Sequence, residues 1–482
     1  MLSPTHLKRG SDAAMSATTE AATDLTALFE RAGLAAASVG AWRDAAPPIR
    51  KDWRADRAAC SNFWALGKAL LGGLPAKAAR NPDQAQVGET IHRESRKVRE
   101  RLLAAHVEAL YDALTADRTE FLRVDALVER AAELVPGLTP DASELATESA
   151  RTLKEKEGLE FDQGILLSQV LAHPALGRHL CHAMLLPRVG SRDLLAQFAK
   201  DGSVDLGTAH VSRMGKAAVV ELRNPAALNA LDATTLAPLE TAIDIAILDS
   251  ATDIAVLRGG KVDHPKYRGR RIFSAGINLT HLYRGRIPFL FYFDHVMGYE
   301  NKMLRGVAMS DVSADDVAGA TIEKPWIAAV DGFAIGGGCQ HLLVMDYVLA
   351  AAGSYLTLPA RKEGIIPGLA NLRLPRFVGD RLARQAIMYG RKFDCDSVEG
   401  RLICDEIAPV DRMDDALAAI VEGLTGSGLV SAVGNRCQIR IGQEPLDLFR
   451  GYLARYAREQ AACHFGSGLI ANLERHWNAQ SR

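Results

Sequence analysis

Four apolar runs of strand length recur through the second half of the chain, and their spacing limits the folds open to it. They are Ala217-Ala-Val-Val-Glu-Leu222, Ile254-Ala-Val-Leu257, Trp326-Ile-Ala-Ala-Val330 and Tyr347-Val-Leu-Ala-Ala351. Between the first two, Leu236, Leu239, Ile243 and Ile247 repeat with the period of one helix face. Strand and helix in alternation argue for stacked βαβ units rather than a meander, so the expected class is α/β.

The first half reads differently. From about Asp24 to Phe198 the pattern is helical, most clearly where Leu103, Val107, Leu110 and Leu114 share one face. Pro136-Gly137 and Thr139-Pro140 punctuate it, with Asp141 and Ser143 as candidate N-caps for the next helix. Arg96, Arg99, Glu100 and Arg101 read as a solvated helix face. The first 20 or so residues are rich in Ser, Thr and Ala without a period, and disorder is expected there. Lys200 to Gly207 is polar and turn-prone. A chain of 482 residues is expected to hold two or more domains, here 1–205 (all-α) and 206–482 (α/β with a helical C-terminus).

Composition removes several functions. A formal net charge of −1 supplies no field to gather nucleic acid or an anionic membrane. Seven cysteines without C-x-x-C spacing fit a reducing compartment and argue against a disulfide scaffold or zinc knuckle. No secretory h-region and no apolar run of the roughly 20 residues that span a bilayer occur, so a cytoplasmic protein is expected.

The most informative segment for chemistry is Asp331-Gly-Phe-Ala-Ile-Gly-Gly-Gly-Cys-Gln340, directly after a strand. Consecutive glycines leave backbone N–H groups uncovered and let a ligand approach. If a helix starts there, its positive end suits a developing oxyanion. Taken alone, the segment serves equally as a tight strand-to-helix packing turn.

A second segment, Phe273-Ser-Ala-Gly-Ile-Asn-Leu279, also follows strand-like sequence. Together the two resemble the paired oxyanion loops of the crotonase (enoyl-CoA hydratase/isomerase) superfamily. The resemblance implies one thioester-holding amide in each loop, on Ile277 and Gly337. It implies substrate or CoA contacts from the neighbouring Ala275, Gly276, Asn278, Leu279, Gly338 and Cys339. Asn224-Pro-Ala-Ala-Leu-Asn-Ala230 resembles the family segment whose backbone holds the CoA adenine end, here at Ala227 and Leu228. Pro359 and Ile366-Pro-Gly368 match a later landmark loop. The implied fold is a crotonase ββα spiral core behind an all-α N-terminal domain, assembled as a homo-trimer or hexamer.

Departures narrow the activity. Hydratases of the superfamily carry two glutamates that activate water; the corresponding positions here are Gln340, which cannot act as a base, and Ala360. Water addition is therefore not expected. Gly-Gly-Gly-x-Gln, Ala360-Arg-Lys-Glu-Gly-Ile-Ile-Pro-Gly368, Asn371-Leu-Arg-Leu374, His264-Pro-Lys-Tyr-Arg-Gly269 and the helical extension are similar to the 3,5-dihydroxyphenylacetyl-CoA 1,2-dioxygenase family. That resemblance implies a cofactor-free oxidation of an arylacetyl-CoA by O2 to an arylglyoxylate and CoA, in secondary metabolism such as antibiotic biosynthesis. An arylacetyl thioester has an α-proton acidified by carbonyl and ring, and its enolate can pass an electron to O2. No His/Cys/Asp cluster has metal-ligand spacing and no G-x-G-x-x-G loop occurs.

Two positions differ from that family. A glutamate thought to contact a ring hydroxyl is replaced by Leu231, and an arginine by His295, which is read either as a base or as a satisfied helix histidine. Loss of both polar anchors predicts a less hydroxylated or differently substituted acyl group. His264 stands near bound substrate by resemblance, or in a plain His-Pro turn. Lys266, Arg268, Arg270 and Arg271 read either as a CoA-phosphate contact or as a solvated edge, and Cys339 as a small buried filler. Two rival functions stay open: an isomerase or thioester hydrolase that kept the oxyanion loops, and a non-catalytic CoA-binding assembly subunit.

Overall fold

The computed structural model describes residues 25–315 and 317–479; the stretch expected to be disordered lies outside them. The chain is helical as far as Ser191–Asp201. The longest helix, Pro82–Leu114, starts on a capping box in which Asn81 and Gln84 satisfy each other's backbone amides. It buries Leu103, Leu110 and Leu114 as their period predicts, with Val107 partly covered. Asp141 is the cap of Ala142–Ser149, accepting from the Glu144 amide, and Ser143 lies inside that helix.

The arginine-rich face departs from its reading. Arg99 is buried, pairs with Asp162 at 3.0 Å, and donates to the carbonyls of Gly137 and Leu138. Those two carbonyls belong to the Pro136–Gly137 turn, whose unpaired backbone needs a donor that no helix supplies.

Strands begin where a turn was expected. Strand β1 (Ser203–Asp205) pairs antiparallel with β2 (Ala209–Met214), and β2 with β3 (Ala217–Leu222). Val204, a buried residue, makes a strand of that polar stretch. From β3 the sheet continues in parallel through β4 (Ile254–Gly259), β7 (Trp326–Val330), β9 (Tyr347–Ala351) and β12 (Glu406–Ala408). Strands β5 (Val307–Ala308) and β6 (Thr321–Ile322) form a separate pair. A small second sheet runs β11 (Lys392–Asp394), β10 (Tyr355–Thr357), β8 (Phe333–Ile335).

The main sheet is buried on both faces, which is why its strands read as unbroken apolar runs. Val219, Val256, Ile327 and Leu349 pack against Met413, Leu417 and Val421 of the helix Met413–Thr425. The opposite face, with Val220, Leu257 and Ala328, joins a cluster that reaches Leu102 and Leu166 upstream and Phe449 and Leu453 downstream.

The N-terminal helices are thus continuous with the core. Helix Phe161–Ala172 lies on Leu446–His464 so closely that a Cβ on Gly164 would stand 2.9 Å from the Ala457 carbonyl. Glu160 accepts from the Phe289 amide at 2.6 Å and from Lys156 at 3.1 Å. Buried Glu240, on the helix Leu236–Leu248, pairs with Arg123 (2.8 Å), Arg188 (3.1 Å) and Lys302 (2.8 Å); Lys302 also meets Asp244 at 2.7 Å.

Candidate active site

Two segments that follow neighbouring strands meet at the edge of the small sheet. After β7 the chain turns into β8, passes Gly336 at φ +51°, and enters the helix Gly337–Leu342. After β4, Ser274 bridges Ala334 of β8 and Ile277 bridges Leu231, both in parallel. The glycines allow this approach: a Cβ on Gly338 would stand 2.8 Å from that of Ser274, and one on Gly276 would stand 3.1 Å from the Gly337 nitrogen.

Hydrogen bonds around the junction leave two donors over. Leu231 N–H donates to the Gly276 carbonyl (2.7 Å), Asn278 N–H to the Leu231 carbonyl (2.8 Å), and Gly276 N–H to Ser274 Oγ (3.1 Å). The Ile277 amide falls between these bonds, and the Gly337 amide is the first of a helix, a position with no intrahelical acceptor. Neither amide donates to another group among the described residues.

Ile277 and Gly337 both line a partly open cavity of about 450 Å³, a volume that includes some open solvent. Of the residues singled out in the sequence, Leu231, Ile277, His295, Gly337 and Gln340 line it, as does Ala360. The rest of the wall includes Phe291, Tyr292, Tyr456 and the loop through Ile366 and Gly368.

Gln340 is 6% exposed, and its side-chain oxygen, lodged against Gly368, is enclosed without a hydrogen-bond partner. His295 lies in the π-helical turn Asp294–Tyr299, the kind of widened turn that recurs at functional sites. Its ring stacks on Tyr299, with Nε2 3.5 Å from Glu300 Oε2. Burial, with His341 and Arg373 nearby, holds His295 well below the usual histidine range, so the ring is neutral at pH 7. Glu300 accepts from Arg373 at 2.8 Å, and burial pushes it up to about 7.

Glu363 was not singled out in the sequence: beside Gln340 and Ala360, the two positions read as lacking a glutamate, a third position of the wall carries one. Glu363 ends the short helix Ala360–Glu363 and lines the cavity, with no hydrogen-bond or ionic partner among the described residues. Burial pushes it up to about 7. The residue as a whole is half-buried.

The remaining singled-out residues stand outside the lining. Asn278 caps the helix Leu279–Tyr283, accepting from the His281 amide and donating to Asp232 at 3.0 Å. Gly276 and Gly338 are the points of close approach, and Cys339 is buried, its thiol pushed up to about 12. Leu228 adopts φ +56° in the loop after β3, held by Asn229, which donates to the Gly260 and Ile272 carbonyls. The Ala275 amide donates to the Leu228 carbonyl at 3.1 Å, and Ala227 lies beside it, partly exposed. His264 accepts from the Lys266 amide in a neighbouring surface turn. Arg271 is tied to Glu221 at 2.5 Å and Arg268 to Asp263 at 2.9 Å.

The enoyl-CoA hydratase/isomerase family profile matches residues 213–433. The (3,5-dihydroxyphenyl)acetyl-CoA 1,2-dioxygenase of Amycolatopsis orientalis is 43% identical over 405 residues, 84% of this chain and 92% of that protein. That length cannot be accommodated without the N-terminal helical region. A probable enoyl-CoA hydratase of Rhizobium meliloti (strain 1021) is 31% identical over 214 residues, 44% of this chain and 73% of that protein. A solved enoyl-CoA hydratase from Mycobacterium avium subsp. paratuberculosis K-10 aligns at 16% identity and a TM-score of 0.46, over 57% of this chain and 97% of its own. By the matched profile and the identity shared with the dioxygenase, the chain belongs to the crotonase (enoyl-CoA hydratase/isomerase) superfamily.

Proposed function

We propose that the protein is a cofactor-independent dioxygenase that converts an arylacetyl-CoA thioester and O2 to the arylglyoxylate and CoA. The observation that carries the reading is the pair of unpartnered amides, on Ile277 and Gly337, in residues that line one cavity. A thioester oxygen bound there accepts two hydrogen bonds that strengthen as it becomes an enolate oxygen. A preorganised donor of this kind contributes roughly 3–4 kcal/mol to a transition state.

The enolate then reduces O2 by one electron, and recombination at the α-carbon forms a peroxide. Attack of the peroxide on the thioester carbonyl expels CoA thiolate, and O–O cleavage with loss of the remaining α-proton leaves the α-keto acid. Both oxygen atoms end in the product, and no further oxidant or reductant is consumed. The 43% identity to the dioxygenase over most of both chains supports this reaction over hydration. Gln340 and Ala360 at the hydratase carboxylate positions support it as well.

Within this proposal Gln340, Leu231 and the neutral His295 face the ring. Ala227, Leu228, Ala275 and His264 lie along the CoA, and Gly276, Asn278, Leu279, Gly338 and Cys339 shape the oxyanion turn. The change from helix to strand near residue 205 supports regions 1–205 and 206–482. The family supports a homo-trimer or hexamer, and among the described residues no single helix is long and apolar enough to cross a membrane. Cytoplasmic location remains part of the proposal.

Glu363 favours one second reading, an acyl-CoA isomerase, because a single carboxylate can carry a proton between two carbons. Oxygen uptake coupled to thiol release from arylacetyl-CoA thioesters, retained in chelator, is the expected result. Turnover of an enoyl thioester without oxygen uptake would establish the isomerase instead.

A further inference from the structure

An enolate requires a base, and the cavity offers few. His295 is a poor candidate: its ring is neutral, Nε2 faces Glu300, and a base held far below the usual histidine range is weak. The Tyr292 hydroxyl is bonded to His464 Nδ1 at 3.0 Å, and burial drives Tyr292 and Tyr456 toward the neutral form. Gln340 cannot accept a proton. Among the described residues, Glu363 is the one carboxylate in the cavity wall.

Its placement is fixed from both sides. Pro359 precedes the turn, and Gly364 follows at φ +88° with its Cα against Leu469, where a Cβ would stand 3.0 Å from the Leu469 Cα. The carboxyl reaches back toward the oxyanion turn: a Cβ on Gly336 would lie 4.0 Å from Glu363 Oε1. Gly336 immediately precedes the Gly337 amide, so the carboxylate stands beside the position of a bound thioester carbonyl. The α-carbon is one bond from that carbonyl.

We propose that Glu363 is the base that takes the α-proton of the bound arylacetyl thioester. The inference rests on the proposed function. In the step a Glu363 oxygen forms an O–H bond, and the α C–H bond breaks. Its electron pair becomes the C–C π bond of the enolate, and the carbonyl electrons settle on the oxygen held by Ile277 and Gly337. Burial supports the assignment, since a carboxylate raised to about 7 is a stronger base than a solvated one and is still substantially ionised at neutral pH.

The test is exchange of the α-protons of phenylacetyl-CoA and 3,5-dihydroxyphenylacetyl-CoA in D2O without oxygen, followed by mass spectrometry. Exchange catalysed by the unaltered protein should fall by about 10²–10⁴ in Glu363→Gln, with thioester affinity retained. Glu363→Asp should restore part of the rate and serves as the folding control. Exchange at the original rate in Glu363→Gln would overturn the role of Glu363 and leave the dioxygenase reading intact. If the unaltered protein binds both thioesters and exchanges neither, the dioxygenase reading falls and this inference with it.

Discussion

Replacing Gln340 with methionine should make the protein more stable and a worse enzyme for one class of substrate. The Gln340 amide oxygen is enclosed against Gly368 without a hydrogen bond. A buried polar group left unsatisfied costs about 1–3 kcal/mol. Methionine has nearly the same length and no such demand, so the ligand-free protein should gain on the order of 1 kcal/mol, a Tm raised by ~1 °C. The opposite sign is expected in catalysis. A ring hydroxyl that bonds the amide on binding relieves the unsatisfied group, and methionine removes that partner. The loss of about 1–3 kcal/mol is ~10- to 100-fold in kcat/KM for hydroxyphenylacetyl-CoA. Unsubstituted phenylacetyl-CoA, which makes no such bond, should be nearly unaffected. Calorimetric melting and paired kcat/KM measurements decide the matter. Equal losses for both thioesters, or a fall in Tm with no change in selectivity, would refute the argument that the amide is held open for a ligand.

Gly337→Pro removes one of the two proposed oxyanion donors and should lower turnover by roughly 10²–10³ in a protein that stays folded, checked by circular dichroism and size. Because Glu363 is raised to about 7, it is protonated and unable to accept a proton below that pH. The anaerobic exchange rate should therefore rise with pH through about 7 and then level, a limb absent from Glu363→Gln. Leu231 offers a ring hydroxyl no partner, so a thioester lacking at least one hydroxyl should exceed the 3,5-dihydroxy compound in kcat/KM, and Leu231→Glu with His295→Arg should reverse the order. Lys302→Met leaves Glu240 and Asp244 without their shared cation at a fully buried site and should cost about 3–5 kcal/mol, read by denaturant titration.

The sheet was legible because burial on both faces removes polar alternation: β3, β7 and β9 match the apolar runs residue for residue. β1 was not, since a strand of three residues with one buried valine carries no periodicity. Arg99 failed for a related reason. A charged residue on a polar helix face gives no sign that a distant turn presents bare carbonyls to it. The close approach of the two glycine-bearing segments was legible because it depends on the absence of side chains, whereas the thioester-holding role of the Ile277 and Gly337 amides came from the family resemblance and belongs to the proposed function. Glu363 was missed because Arg-Lys-Glu looks like any solvated turn. Its signal was positional: it stands three residues after Ala360, and one helical turn returns it to the same side.

Phe291 and Tyr292 wall the cavity, yet the backbone leading to them is anchored on Glu160, which accepts the Phe289 amide from across 129 residues of chain. The helical region is part of the mould in which the pocket is cast. A recombination event that joined a foreign N-terminal partner to residues 206–482 would leave that wall packed on the helix Leu446–His464 but without the Glu160 acceptor that fixes the Phe289 amide. Such wiring favours inheritance of the two regions as one piece, and it makes residues near 160 as exposed to selection on substrate as those that touch it.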